Sequence, residues 1–252
     1  MLAILSPAKS LDYERPLPLL PVTEPAFDAD AGALAASAAK LSANKLRALM
    51  GISDKLARLN VDRFRGFKEA PRRPAIHAFA GDVYVGFEVR SLDDEALLFA
   101  QDHVRILSGL YGLLRPLDAI RPYRLEMGTR WAPGRAKNLY GYWKDRIARR
   151  LEQDLEESGH RVIVNLASKE YWRAVEGRLH SNIGVIEIDF REQGPNGLRF
   201  NSFEAKRARG MMARYICENR LSDAEALKGF DIDGYAYDPV HSDAKRWRFS
   251  RT

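Results

Sequence analysis

The sequence predicts an α/β chain, and three observations predict it. Short apolar runs alternate with helical periodicities along 252 residues. Several of those runs end in clusters of polar and charged side chains, and one pair of runs brackets a glycine-proline turn as an antiparallel hairpin. No linker, internal repeat or low-complexity segment interrupts the pattern, so one domain spanning 1–252 is expected, with enough apolar composition for a sizeable core.

Leu2 to Leu5 reads as a buried strand, and Ser6, Lys9 and Asp12 form the polar loop at its end. In α/β sheets ligands bind at such strand ends, so this loop either holds an anion with a balancing carboxylate or fixes itself through its own hydrogen bonds. Pro16, Pro18, Pro21 and Pro25 keep the following chain extended until an alanine-rich helix from about Asp28 to Lys40. From Leu46 to Leu59, apolar residues at helical spacing are interrupted by Gly51-Ile52-Ser53-Asp54, which predicts helix, tight turn and helix over about 44–67. The arrangement resembles a helix-hairpin-helix, the DNA-binding motif in which amides at a helix N-terminus grip a phosphate. Leu46, Leu49, Gly51, Ile52, Lys55 and Ala57 match its pattern, while Ser53 replaces the second glycine. Gly51, Ile52, Ser53, Asp54, Lys55 and Arg58 are the candidate DNA contacts. The plain alternative is a helical hairpin that only packs.

Ile76 to Ala80 reads as another strand, with Asp82 and Tyr84 emerging after it. A helix from about Asp93 to His103 leads to the strand Val104–Leu107 and then to the densest polar stretch in the chain. There Ser108, Tyr111, Arg115, Asp118, Tyr123, Arg124 and Glu126 surround a glycine-bearing segment, Gly109 to Gly112, and two prolines. So much convergent polar chemistry suggests the floor of a site, against the alternative of a proline-rich crossover whose ion pairs are structural. Asn138 to Glu157 reads as a long amphipathic helix ended by Gly159, and Arg161 to Leu166 as a buried strand followed by Asn165, Ser168, Glu170 and Tyr171. Ile183–Phe190 and Leu198–Phe203 form the hairpin around Gly194-Pro195-Asn196-Gly197. A helix over Glu204–Arg220 carries Lys206 and Arg209, a short helix spans Ser222–Gly229, and Gly234–Tyr237 and Trp247–Phe249 close the fold as edge strands.

Charge narrows the partners. The net charge is +6, yet Arg105 to Arg150 holds eleven Lys/Arg against Asp118, Glu126 and Asp145, so that stretch alone carries +8. Such clustering favours a basic surface for phosphates. The single cysteine, Cys217, cannot form an internal disulfide and suits a reducing cytoplasmic setting, and no apolar run suggests membrane insertion. Phosphate-binding glycine loops, zinc signatures and dinucleotide fingerprints are absent, and the five histidines are scattered. Neither a metal nor a cofactor is expected.

Taken in order, S-P-A-K-S-L-D, A-G-D-V-Y-V-G, L-S-G-L-Y-G-L-L-R-P-L-D with P-Y-R-L-E-M-G, N-L-A-S-K-E-Y, and A-K-R-A-R-G-M-M resemble the bacterial YaaA family from Ser6 to about Arg220. The resemblance implies an unusual fold with a mixed sheet and flanking helices, and a role in protection against hydrogen peroxide through lowered free iron. It also implies DNA binding through a helix-hairpin-helix and a basic cleft, and no particular reaction. Two readings follow. One is a monomeric DNA-binding protein. The other is an enzyme acting on a nucleobase, nucleotide or nucleic acid, with a small nucleotide-like ligand in a pocket built around Lys9, Glu126 and Lys206 as catalytic candidates, Glu126 being the acid or base.

Overall fold

The computed structural model describes residues 1–17, 21–195 and 197–251. The chain opens with β1 (Leu2–Leu5), buried along its whole length. Then follow α1 (Asp28–Ala38), α2 (Ala43–Met50), α3 (Asp54–Arg65), β2 (Arg73–Pro74), α4 (Ala75–Ala78) and α5 (Asp82–Phe87). The middle of the chain supplies α6 (Asp94–His103), β3 (Val104–Ser108), β4 (Gly112–Leu114), β5 (Ala119–Ile120), α7 (Leu139–Trp143), α8 (Arg146–Glu157), β6 (Val162–Asn165) and α9 (Lys169–Trp172). The last part supplies β7 (Gly184–Gly194), β8 (Gly197–Arg199), α10 (Ser202–Glu218), β9 (Tyr235–Asp238) and β10 (Arg246–Arg251).

The main sheet runs β4-β3-β1-β6-β7-β10-β9, with β8 paired to β7. Neighbours from β3 to β10 are parallel, whereas β4, β8 and β9 are antiparallel to their partners, which makes the sheet mixed. The Leu-Ala-Ile-Leu run of β1 has no polar face because β1 is an interior parallel strand buried at every residue. β1 sits between β3 and β6, so the carboxyl ends of all three open on one edge. Among the described residues no helix is long and apolar enough to cross a membrane.

Several elements depart from the sequence expectation, each for a local reason. The run Ile76–Ala80 is not a strand. Ala75–Ala78 forms one buried helical turn whose amides are held by Asp118 and Pro116 carbonyls, and a short apolar run has no periodicity to separate the two states. Asp82 and Tyr84 therefore lie on a helix, α5, rather than at a strand end. The helix expected from Asn138 to Glu157 breaks at Lys144, which takes φ +50° with no glycine to announce it. The break lets Trp143 turn inward, where its indole Nε1 donates to the Gly109 carbonyl at 3.0 Å. The second hairpin strand stops at Arg199, because Asn201 caps α10 by accepting from the Phe203 amide at 3.1 Å. Asn196 of its turn and Pro18 of the proline segment lie outside the described residues. β10, expected at an edge, is interior and pairs on both sides.

One contact explains two glycines. A Cβ on Gly86 would lie 2.1 Å from the Arg207 carbonyl oxygen, and one on Gly210 would lie 1.8 Å from that of Val83. α5 and α10 thus cross backbone to backbone, and this contact sets Asp82 beside Lys206.

Candidate functional site

Three parallel strand ends build the floor. Ser6 follows β1, Ser108 ends β3, and β6 ends in Asn165, whose Oδ1 accepts from the Ala167 amide and turns the chain toward Ser168 at the head of α9. The Ser168 amide donates to Ser6 Oγ at 2.9 Å, and the two hydroxyls lie 3.4 Å apart. Tyr84 donates to the Ser6 carbonyl at 3.1 Å, while Ser108 and Tyr123 share a 2.7 Å hydroxyl contact. Gly109 completes the floor because a Cβ there would lie 2.2 Å from the Leu125 carbonyl oxygen. The segment carrying Arg124 and Glu126 consequently passes directly over the end of β3.

The charges sit on that floor. Glu126 Oε1 accepts from Lys9 Nζ and from Arg124 Nη2, each at 3.0 Å. The Lys9 side chain is 63% exposed and the Glu126 side chain 15%, so the lysine covers the carboxylate from the solvent side. Glu170, on α9, accepts from the Gly128 amide at 2.9 Å, which ties the Glu126 segment to the end of β6. Burial pushes the phenols of Tyr84, Tyr123 and Tyr171 upward, and for Tyr171 the nearby carboxylates of Glu170 and Glu126 add to it. All three hydroxyls therefore remain protonated at neutral pH. The arrangement is a carboxylate clamped between two cations beside neutral hydroxyls, able to orient a polar ligand or to exchange a proton once Lys9 moves.

Gly81 packs on Ala8 closely enough that a Cβ there would approach the Ala8 Cβ to 2.9 Å. This contact places the Lys206–Asp82 pair, 3.3 Å, next to the loop carrying Lys9. Arg209, one turn further along α10, is instead set toward Asp189 of β7, with burial lowering its pKa and its Nε without a partner among the described residues.

Other sequence candidates lie apart from this floor. Asp12 is held by Arg73, Arg90 and Arg15, which anchors the loop. β4 runs back antiparallel to β3, so it carries Arg115 to the opposite end of the sheet, where Arg115 meets Asp102 at 2.7 Å. Asp118 is buried with its carboxylate on Thr23 and the Arg115 amide, and burial raises its pKa. The Tyr111 phenol accepts from the Arg121 amide at 3.0 Å and is pushed up to about 12 by burial. Arg63, near the end of α3, reads in the sequence as part of a solvated helix face; in the structure it is half-buried, and burial lowers its pKa.

The remaining candidates form a separate surface. α2 ends at Gly51 with φ +61°, Ser53 caps α3 by accepting from the Leu56 amide at 3.4 Å, and Arg47 meets Asp54 at 3.1 Å across the turn. Ile52 is buried beneath the turn. Lys55 and Arg58 are exposed, as are Lys40, Lys45, Arg65 and Lys68 around them, and none has an ion-pair partner among the described residues. Two shallow cavities lie elsewhere: one of about 430 Å³ includes Glu152, His160 and His180, and one of about 300 Å³ includes Glu187 and Arg246. Among the described residues no group of three or more His, Cys, Asp or Glu side chains is placed to hold a metal ion.

Comparison with known proteins adds a family to this geometry. A family model described as peroxide stress protein YaaA matches residues 1–241. A UPF0246 protein of Rhizorhabdus wittichii is 64% identical over 252 residues, covering all of both chains. Similar UPF0246 proteins occur in Caulobacter vibrioides, 49% identical over 100% of this chain and 99% of that protein, and in Roseobacter denitrificans, 51% identical over 95% and 93%.

Proposed function

Because the chain belongs to the YaaA family of peroxide stress proteins, we propose that it serves the peroxide stress response by binding duplex or branched DNA, largely without regard to sequence. The observation that carries this reading is the state of the cations on the α2–α3 hairpin. Lys40, Lys45, Lys55, Arg58, Arg65 and Lys68 are exposed and unpaired among the described residues, whereas Lys9, Arg124, Arg146 and Arg214 elsewhere are engaged by carboxylates. Phosphates displace counterions from such side chains without breaking an internal ion pair. At the turn the Gly51 and Ile52 amides donate to the Arg47 carbonyl and the Leu56 amide to Ser53, so the seat for a phosphate is the exposed start of α3 around Lys55, where Arg47 offsets the Asp54 carboxylate. The test is fluorescence anisotropy on unrelated duplexes with Lys55→Glu/Arg58→Glu. Binding at least tenfold weaker, with thermal unfolding unchanged, is the expected result; undiminished binding makes the hairpin structural.

Glu126 supports a second reading. A carboxylate among phosphate-binding cations repels a polyanion, so its place between Lys9 and Arg124 suits chemistry or recognition at a base or nucleotide rather than adhesion to a backbone. In this reading the strand ends act on a nucleobase or nucleotide, with Glu126 as acid or base and Lys9 and Lys206 positioning the ligand.

A further inference from the structure

Among the described residues, the exposed large apolar side chains include two aromatic rings, Phe200 and Phe203, with 51% and 52% of their surface open to solvent. The other phenylalanines are buried or half-buried, so these two rings set one place on the surface apart. They lie between β8 and the first turn of α10, and neither hangs on a loose loop. Asn201, between them, accepts from the Phe203 amide at 3.1 Å and donates to Glu192 Oε1 at 3.1 Å, while Arg199 donates to the same oxygen at 3.0 Å. Glu192 is buried on β7, so the segment is pinned to the sheet. The Arg191 guanidinium lies 5.5 Å from the Phe200 ring. A flat molecule that stacks on surfaces held in this way orders little of the protein.

The charges around the rings narrow what stacks there. Arg191 pairs with Asp189 at 2.9 Å, Arg199 with Glu192 at 2.8 Å, Arg207 with Glu204 at 3.8 Å and Lys206 with Asp82 at 3.3 Å. With these cations paired, the wall offers little to a phosphate, and aromatic surface is what it leaves open. Lys206 follows Phe203 by three residues on α10, so the two share a face of the helix. The half-exposed Lys206–Asp82 pair sets an ammonium donor beside a carboxylate acceptor, the complement of a nucleobase edge that carries an acceptor next to a donor. A neutral heteroaromatic ring thus finds a stacking surface and a matching polar pair one helical turn apart.

We infer that Phe203, with Phe200 preceding it in the chain, is a stacking platform for an unpaired DNA base, of the kind a single strand or a branch point exposes. The base belongs to a strand rather than to a free nucleoside because the platform is open. Contact with one ring face is weak alone, whereas a base whose phosphates are held elsewhere on the chain, as on the α2–α3 hairpin, arrives at high effective concentration. The inference rests on the DNA-binding reading and adds to it a contact with bases that the hairpin, which addresses phosphates, does not make.

Fluorescence anisotropy of the full chain with a labelled single-stranded oligodeoxythymidylate and with an abasic strand of the same length tests it, since both carry the same phosphates and only one carries bases. The native chain is expected to bind the base-bearing strand about tenfold more tightly or better. Phe203→Ala should cut that preference to within about twofold, Phe203→Trp should keep it, and Phe203→Leu, apolar but not aromatic, should lose it. Lys55→Glu/Arg58→Glu should weaken both strands alike. The two proposals fail separately. Equal binding of both strands by the native chain overturns the platform and keeps the hairpin, whereas no binding of any DNA overturns both. A folded Phe203→Ala protein that retains the full preference also overturns the platform. If Phe203→Ala does not fold, Phe203→Leu decides, since the full preference in that variant counts against stacking. Thymidine that binds as tightly as the strand overturns the assignment to DNA and makes the platform a free-nucleoside site.

Discussion

Near the strand ends Lys9 and Arg124 are engaged by Glu126 and Lys206 by Asp82, whereas on the α2–α3 hairpin Lys55, Arg58, Arg65 and Lys68 face solvent with no carboxylate partner among the described residues. The difference separates two kinds of basic surface. An anion arriving at the strand ends must displace an internal ion pair or fit around it, so only a ligand with more to offer than charge gains there. On the hairpin an anion displaces only water and counterions, and any phosphate serves. The total charge of +6 does not distinguish these cases; pairing does.

The largest effect follows from the hairpin. If its exposed cations neutralise about six phosphates, duplex affinity falls on the order of a thousandfold between roughly 50 and 200 mM salt. Binding isotherms across that range measure the slope. A flat response would erase the contrast between the regions, since it would mean that paired cations or base contacts carry the affinity.

Acid is expected to separate the regions in the opposite sense. His77, on α4 beneath the loop anchored by Asp12, is buried, and burial with Arg90 and Arg73 nearby lowers its pKa to about 4. As pH falls below about 6.5, the unfolded chain takes up a proton that the folded one refuses. Stability should therefore decline from about pH 6.5 toward 4, by up to about 3 kcal/mol from this group. Lowered pKa values at His103 and His160 act in the same direction. Urea unfolding at successive pH values measures the decline, and His77→Gln should flatten it. No histidine lies on the hairpin, so duplex affinity of the folded protein should hold.

Much of this contrast could not be read from sequence. The strands at Leu2–Leu5, Val104–Ser108 and Val162–Asn165 were legible because buried parallel strands are continuous apolar runs, and the hairpin was legible from Gly51 and Ser53 at its caps. The strand-end partners Ser6, Ser168, Lys9 and Glu126 were visible as polar residues after strands, but their meeting depends on which strands are neighbours. Arg115 and Asp118 show the limit. They follow Ser108 closely in sequence, yet β4 reverses direction and takes them to the far end of the sheet.

A smaller effect sharpens the comparison from the strand-end side. Glu126→Gln removes a negative charge while keeping the shape, so duplex affinity is expected to stay within about twofold or improve slightly. Peroxide protection should nevertheless be lost in cells lacking the native protein, if the clamp serves recognition or chemistry. Anisotropy and a peroxide survival assay on the same variant give both readings. Full protection would remove Glu126 from any such role, and loss of protection together with loss of folding would make the clamp a structural ion pair.

The smallest expected effect concerns Cys217, the chain's single thiol and the residue one would first suspect in a protein of the peroxide response. It is fully buried on the inner face of α10, and burial, with the Glu218 charge beside it, raises the thiol pKa. Reaction with peroxide requires thiolate and access, and this environment withholds both. Cys217→Ala should therefore leave peroxide protection and duplex affinity at native levels, and iodoacetamide should label the native chain only after unfolding. Loss of protection in a folded Cys217→Ala protein, or rapid labelling of the native thiol, would move the peroxide response into the core and away from both basic surfaces. Native behaviour would instead leave the response to what those surfaces bind, because the chain contains no other thiol through which peroxide could act on it.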